Sequence, residues 1–345
     1  QRFPDGFLWG TATAAYQIEG GHDADGRSAS IWDTFAHTPG RIENGDTGDV
    51  ACDHYRRWAE DVALMAELGL GAYRFSIAWP RIVPDGVGAA NPAGLAFYDR
   101  LVDALLARGI TPFVTLYHWD LPQVLQERGG WGARECAGWF GDYAAIVGRA
   151  LGDRVKHWIT FNEPFAFVVL GHVFGMHAPG LRDPALGFQA SHHVNLAHGD
   201  AVRALRATAP GAAIGITQVS MPCYPASAAG SDATAARRYD GFVNRWYWEP
   251  PLTGRYPEDI VARLGPLAPR QEPGDAERMS PPIDFFGHNS YTRAVVQDDP
   301  GSALIGARPI GTANPRTAMG WEIYPDHLYD ALTRYVEDQS IKAQA

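Results

Sequence analysis

The chain has 345 residues, of which 46% are hydrophobic and 12% aromatic, enough for a sizeable core in one large domain or two ordinary ones. A net charge of −10 speaks against nucleic acid or an anionic membrane surface as partner, because both call for clustered cations. No apolar run reaches the ~20 residues of a membrane span, and the opening "QRFPDGFLWG" has no charged stretch followed by an apolar one, so a cytoplasmic protein with small-molecule partners is expected. Cys52, Cys136 and Cys223 are far apart and form no C-x-x-C, which excludes a disulfide framework or zinc knuckle as an organising principle.

In chain order, "FLWGTATAAY" (7–16) reads as a small-residue strand. "HYRRWAEDVALMAELG" (54–69) follows, with helical spacing at Tyr55, Trp58, Val62, Met65 and Leu68 and a closing Gly69. The same strand-then-helix pattern recurs as 72–79 with 94–109, 110–119 with 136–151, and 157–164 with 189–208. Two further pairs are 212–220 with 233–248 and 284–292 with 324–338. Six successive βα units predict a parallel sheet covered by helices.

A dinucleotide-binding fold would place G-x-G-x-x-G after its first strand, and "GTATAAYQIEGG" does not have that spacing, so a (β/α)8 barrel is favoured. A barrel gathers its chemistry at the C-terminal ends of its strands. Those ends carry Gln17 and Glu19, Trp79 and Arg81, His118 and Asp120, Asn162 and Glu163, and Asn289 and Tyr291. Metal chemistry has little support: there is no H-x-H or H-E-x-x-H, and His192, His193 and His198 are read as helix packing. Carboxylates, amides, one imidazole and many indoles remain. Flat apolar faces stack on sugar rings while amides and carboxylates bond hydroxyls, and this inventory fits a carbohydrate site.

Five segments, "FPDGFLWGTATAAYQIEG", "YRFSIAWPRI", "YHWDLP", "TFNEP" and "MGWEIYP", occur in an order and at a spacing that resemble the family 1 glycoside hydrolases, the β-glucosidase and β-galactosidase family. The resemblance runs from Phe3 to about Glu337. It implies an α/β fold, a (β/α)8 TIM barrel acting on small β-linked glycosides with retention and without a metal or other cofactor. It also implies one catalytic domain over residues 1–345.

Carried over by position, the resemblance makes Glu163 the general acid/base. Burial at a dry strand end beside a second carboxylate would raise its pKa enough for proton donation. Asn162 matches the amide that bonds the sugar 2-hydroxyl. Gln17 and His118 match binders of the other hydroxyls, with Trp119 beside them and Trp321 on the leaving-group side. Arg74 and Tyr291 match the donors that hold the nucleophilic carboxylate, and Tyr291 also borders the substrate. The sixth-strand motif departs from the family: "HNSYT" has Ser290 where an aromatic is usual and His288 where an aliphatic is expected. The nucleophile's T-E-N-G segment does not occur, and after Arg334 the sequence turns polar where an apolar seventh strand is expected. About six βα units are therefore expected, with strands seven and eight absent and open edges available to a second copy or a complementing chain. The other reading is a sugar-binding barrel without catalysis.

Overall fold

The computed structural model describes residues 2–337. Five parallel strands come first, β1 Gly10–Ala12, β2 Ala72–Ser76, β3 Thr111–Tyr117, β4 His157–Asn162 and β5 Ala213–Val219, followed by the short β6 Cys223–Pro225. Then come β7 Phe285–Asn289, β8 Ala294–Asp298 and β9 Ala307–Ile310. The main sheet has the order β1-β2-β3-β4-β5-β7 and every neighbouring pair is parallel. Four strand steps of ~4.8 Å would put β2 and β7 about 19 Å apart in a flat sheet. Yet Arg74 on β2 reaches Asn289 on β7 at 3.5 Å, so the sheet curls round on itself as a barrel wall does.

The connecting helices form where the sequence pattern places them. His54–Glu67 buries Tyr55, Val62 and Met65, whereas Leu68, expected on the same stripe, falls at the helix end and is exposed. Pro92–Leu106 starts on Asn91, whose side chain accepts from the Ala93 amide, with Pro92 preset for the first turn. Glu135–Leu151 packs on Pro184–Thr208, with Phe140, Tyr143, Val147 and Leu151 buried. The core runs between sheet and helices and includes Trp79, Trp131 and Trp158.

Four details differ from the sequence expectation. The first strand covers only Gly10–Ala12: Phe7, Leu8 and Trp9 are exposed before it, and Ala15–Ile18 turns into helix, so Gln17 stands on a helical turn. Trp79 opens a short helix, Trp79–Ile82, because Pro80 has no amide hydrogen to continue the ladder. Ala166–Val173 forms a π-helical segment directly after Glu163. A three-stranded sheet, β6-β8-β9, lies outside the barrel wall. The last helix, His327–Glu337, forms as expected, and the polar stretch from Asp338 lies outside the described residues.

Candidate active site

Glu163 sits one residue past β4 with φ of +49°, a left-handed conformation that costs a non-glycine residue about 1 kcal/mol or more. Flanking hydrogen bonds hold it there: its amide donates to Thr217 O at 2.8 Å, and its carbonyl accepts from the Ala166 amide at 2.9 Å. The turn swings the side chain out of the strand's alternation towards the sheet end, where it is only 7% exposed. Burial raises its pKa. A hydrogen bond from Asn289 (2.5 Å to Oε1), the Arg74 charge and a bond from the Tyr291 hydroxyl pull the other way without cancelling it.

Arg74 links the neighbouring strands. Its Nη2 donates to Asn162 Oδ1 at 2.7 Å, Nη1 to Asn289 Oδ1 at 3.5 Å and Nε to Thr115 Oγ1 at 3.0 Å. Burial lowers its pKa to about 10, while Glu163 and Tyr291 hold it up, so it remains a cation at neutral pH. Asn289 Nδ2 also donates to Asn162 Oδ1 at 3.0 Å. The Asn162 amide nitrogen in turn lies 3.1 Å from His118 Nε2. Because that nitrogen can only donate, His118 Nε2 must accept, which makes the imidazole neutral with its proton on Nδ1. Burial and Arg74 push the His118 pKa down to about 3, in keeping with this tautomer.

Trp119, with φ of +79°, donates its indole N–H to Asn162 O at 2.8 Å. Gln17, His118 and Trp119 line one open cavity of about 360 Å³ together with Tyr16 and Trp32. Gly48 closes over Tyr16, and a Cβ there would lie 2.7 Å from the ring. Gln17, His118, Trp119, Asn162, Glu163 and Arg74 therefore lie at one end of the sheet. Tyr291 and Trp321 sit across from them, their rings 5.0 Å apart, and both are more than a third exposed.

Asn289 is the residue whose importance the sequence understated. It was legible only as an amide at a strand end, yet it bonds both Glu163 and Asn162. The two departures of the sixth-strand motif are accommodated by polar contacts: Ser290 Oγ lies 2.7 Å from His327 Nδ1, and His288 Nδ1 lies 2.8 Å from Ser220 Oγ. The second carboxylate expected to raise the Glu163 pKa is not found among the described residues facing it, so burial does that work. Two acids read as strand-end or near-site groups are committed elsewhere. Glu19 is buried on Arg81 and Tyr98, and Glu322 pairs with Arg293 and Asn314. His192, His193 and His198 are buried on the long helix against Tyr256 and Asp275, Trp131 O and Thr160 respectively.

Asp120 is a further finding. It is buried next to Trp119, its Oδ1 has no hydrogen-bond partner, and burial raises its pKa to about 7. Among the charged groups facing it, Arg27 lowers that value while Glu19 and Asp33 raise it. Asp120 holds its proton more tightly folded than unfolded, so its contribution to stability is complete below about pH 4 and is lost as pH rises towards 7. Asp120→Asn is accordingly expected to lose less thermal stability than the parent between pH 5 and pH 8. Melting temperatures that fall in parallel would contradict this assignment.

The family model for glycosyl hydrolase family 1 matches residues 1–342. The chain belongs to that family. It is 47% identical to "Beta-glucosidase A" of Thermotoga maritima over 98% of its own length and 76% of the relative. It is 48% identical to "Thermostable beta-glucosidase B" of Thermobispora bispora, covering 97% of itself and 70% of the relative. The solved family 1 β-glucosidase of Thermotoga maritima superposes with a TM-score of 0.95 at 47% identity, over 98% of this chain and 76% of that one. The α/β barrel fold and a β-glucosidase-like glycoside hydrolase activity follow from this membership. Among the described residues no helix is long and apolar enough to cross a membrane.

Proposed function

We propose that this family 1 glycoside hydrolase cleaves the terminal β-linkage of small β-glucosides with retention, and that Glu163 is its acid/base. The observation that carries the assignment is a buried carboxyl with a raised pKa, turned out of the sheet end by a left-handed backbone and steered by Asn289 and Tyr291. Protonated, it delivers its proton to the departing oxygen; ionised in the second half of the reaction, it takes a proton from water. Asn162 receives the sugar 2-hydroxyl, with its carbonyl oxygen fixed by Arg74 and Asn289. His118 Nδ1, which is buried without a protein partner, and Gln17 receive other hydroxyls of the ring, and Trp119 supplies an apolar wall. Arg74 and Tyr291 hold the ionised nucleophile, and Trp321 flanks the leaving group. Retention needs a second carboxylate ~5–5.5 Å from Glu163, and none of the described residues that act on Glu163 supplies it.

Short β-1,4-glucans suit this reading, since a relative from Thermotoga neapolitana carries the name "1,4-beta-D-glucan glucohydrolase". We take residues 1–345 as one (β/α) barrel domain. The free edges of β1 and β7 lie near exposed Phe7 and Trp9 on one side and Trp321 and Ile323 on the other, a surface suited to a second copy or a complementing chain. Three free cysteines are in keeping with a cytoplasmic setting. The test of function, in a form of the enzyme that carries the second carboxylate, is the rate on aryl β-glucosides against α-glucosides, with Gln17→Ala as the site probe. We expect activity on the β-anomer only and a KM raised about tenfold by Gln17→Ala, whereas hydrolysis of both anomers would reject the reading.

A further inference from the structure

The cavity lined by Gln17 and His118 has two indole walls contributed by distant parts of the chain. Trp32 lies on the helix Ile31–His37, and Trp119 lies at the corner after β3. Both rings approach His177, each with a centroid separation of 5.5 Å. The backbone stitches the two walls together next to the cavity: Ile31 N donates to Leu121 O at 2.8 Å, Gln123 N donates to Ala29 O at 2.9 Å, and Ser30 pairs with Pro122. This seam includes Ser30, the capping partner of Asp33, and begins at Leu121, the residue after Asp120.

Arg27 is buried behind that seam and outside the cavity lining. Its Nη2 donates to Asp33 Oδ2 at 2.8 Å, with both side chains about 5% exposed. Its Nη1 donates to the carbonyls of His22 and Ser28 at 2.9 and 3.1 Å. The same Asp33 oxygen accepts from the Ser30 amide and hydroxyl, which locks the first turn of the helix carrying Trp32. The seam carries this anchoring to the Trp119 wall, because Leu121 and Gln123, two and four residues beyond Trp119, bond the backbone on either side of Ser30. A guanidinium is suited to this place because its planar fork can serve a carboxylate and two carbonyls at once, which an ammonium on a flexible stem cannot reproduce.

We propose that Arg27 is a positioning residue for sugar binding: held by Asp33 and the carbonyls of His22 and Ser28, it fixes the helix turn that carries Trp32 and, through the backbone seam, the spacing of the Trp32 and Trp119 walls of the cavity. It touches no substrate and acts through the two indoles. This inference rests on the reading that the sugar occupies the cavity lined by Gln17, His118 and Trp119. The walls contact the ring in the ground state and the transition state alike, so loosening them removes uniform binding and is read in KM more than in kcat.

The experiment uses the enzyme in a form that turns over an aryl β-glucoside. Arg27→Lys keeps the charge but loses the fork, and it is expected to raise KM about five- to twentyfold with kcat changed less than about threefold. Arg27→Met leaves the buried Asp33 carboxylate without its cation and is expected to lower the melting temperature. Adding Asp33→Asn to it removes that charge while keeping an oxygen for Ser30, and should recover much of the melting temperature while KM stays high. Recovery of KM together with the melting temperature would mean that Arg27 serves folding alone and would overturn the proposal. An unchanged KM in Arg27→Lys would overturn it as well, provided Gln17→Ala raises KM. If Gln17→Ala also leaves KM unchanged, the sugar does not sit in this cavity, and the functional assignment of the cavity falls together with the inference built on it.

Discussion

In a form of the enzyme that carries the second carboxylate, Glu163→Gln is expected to slow hydrolysis of β-glucosides with poor leaving groups by about 10³-fold, at the middle of the range for loss of a positioned general acid. The amide is nearly isosteric and can still meet Asn289 and Tyr291, so the fold should survive while the transferable proton is lost. Aryl glucosides with acidic phenols need little protonation on departure. For them the first step should proceed and the second, which needs a base to activate water, should stall, giving a burst of phenol followed by a slow steady state. The pH profile gives an independent check. Burial raises the Glu163 pKa, so the protonated acid persists to higher pH than an ordinary glutamate, and activity on poor leaving groups should fall as pH rises through that raised value. The variant should lack this alkaline limb. An equal loss on both substrate types, with no burst, would remove Glu163 from the acid role.

Much of this site was legible because barrel geometry turns sequence position into spatial position. Once β1 to β4 were placed, Gln17, His118, Asn162 and Glu163 had to share one end of the sheet, and they do. What pattern reading missed depends on backbone detail and on long-range pairing. The left-handed turns at Trp119 and Glu163 redirect their side chains, and neither residue type announces a positive φ. Asn289 could be placed at a strand end, but its two hydrogen bonds, one to Glu163 and one to Asn162, require the curl that brings β7 round to β4. Glu19 and Arg81 illustrate the opposite error. Polar residues just past a strand end looked like site groups, yet they satisfy one another in the interior, with Tyr98 donating to the same carboxylate. Burial converts such a pair from chemistry to structure.

The second large effect concerns the carboxylate opposite Glu163. The charged and hydrogen-bonding groups that perturb Glu163 are Asn289, Arg74 and Tyr291, and none of them is an acid. Arg74 instead spends its donors on Asn162, Asn289 and Thr115, all neutral acceptors. A retaining reaction stores the sugar as an ester on the second carboxylate, so an acid without that partner has no intermediate to form. A polypeptide of these 345 residues assayed alone, its intact mass verified, is therefore expected to hydrolyse an aryl β-glucoside several orders of magnitude below a typical rate of ~1–10 s⁻¹. Supplying a segment that carries the missing carboxylate should restore turnover. Azide offers a second readout, because a small nucleophile can take the place of a missing carboxylate and would form the glucosyl azide of inverted configuration, provided Glu163 is intact. Turnover at ~1 s⁻¹ or faster by the verified polypeptide would show that another acid has taken the role. Glu19→Gln and Glu322→Gln would then be the variants to make first. Their present partners, Arg81 with Tyr98 and Arg293 with Asn314, are what each side chain would have to leave to reach the sugar.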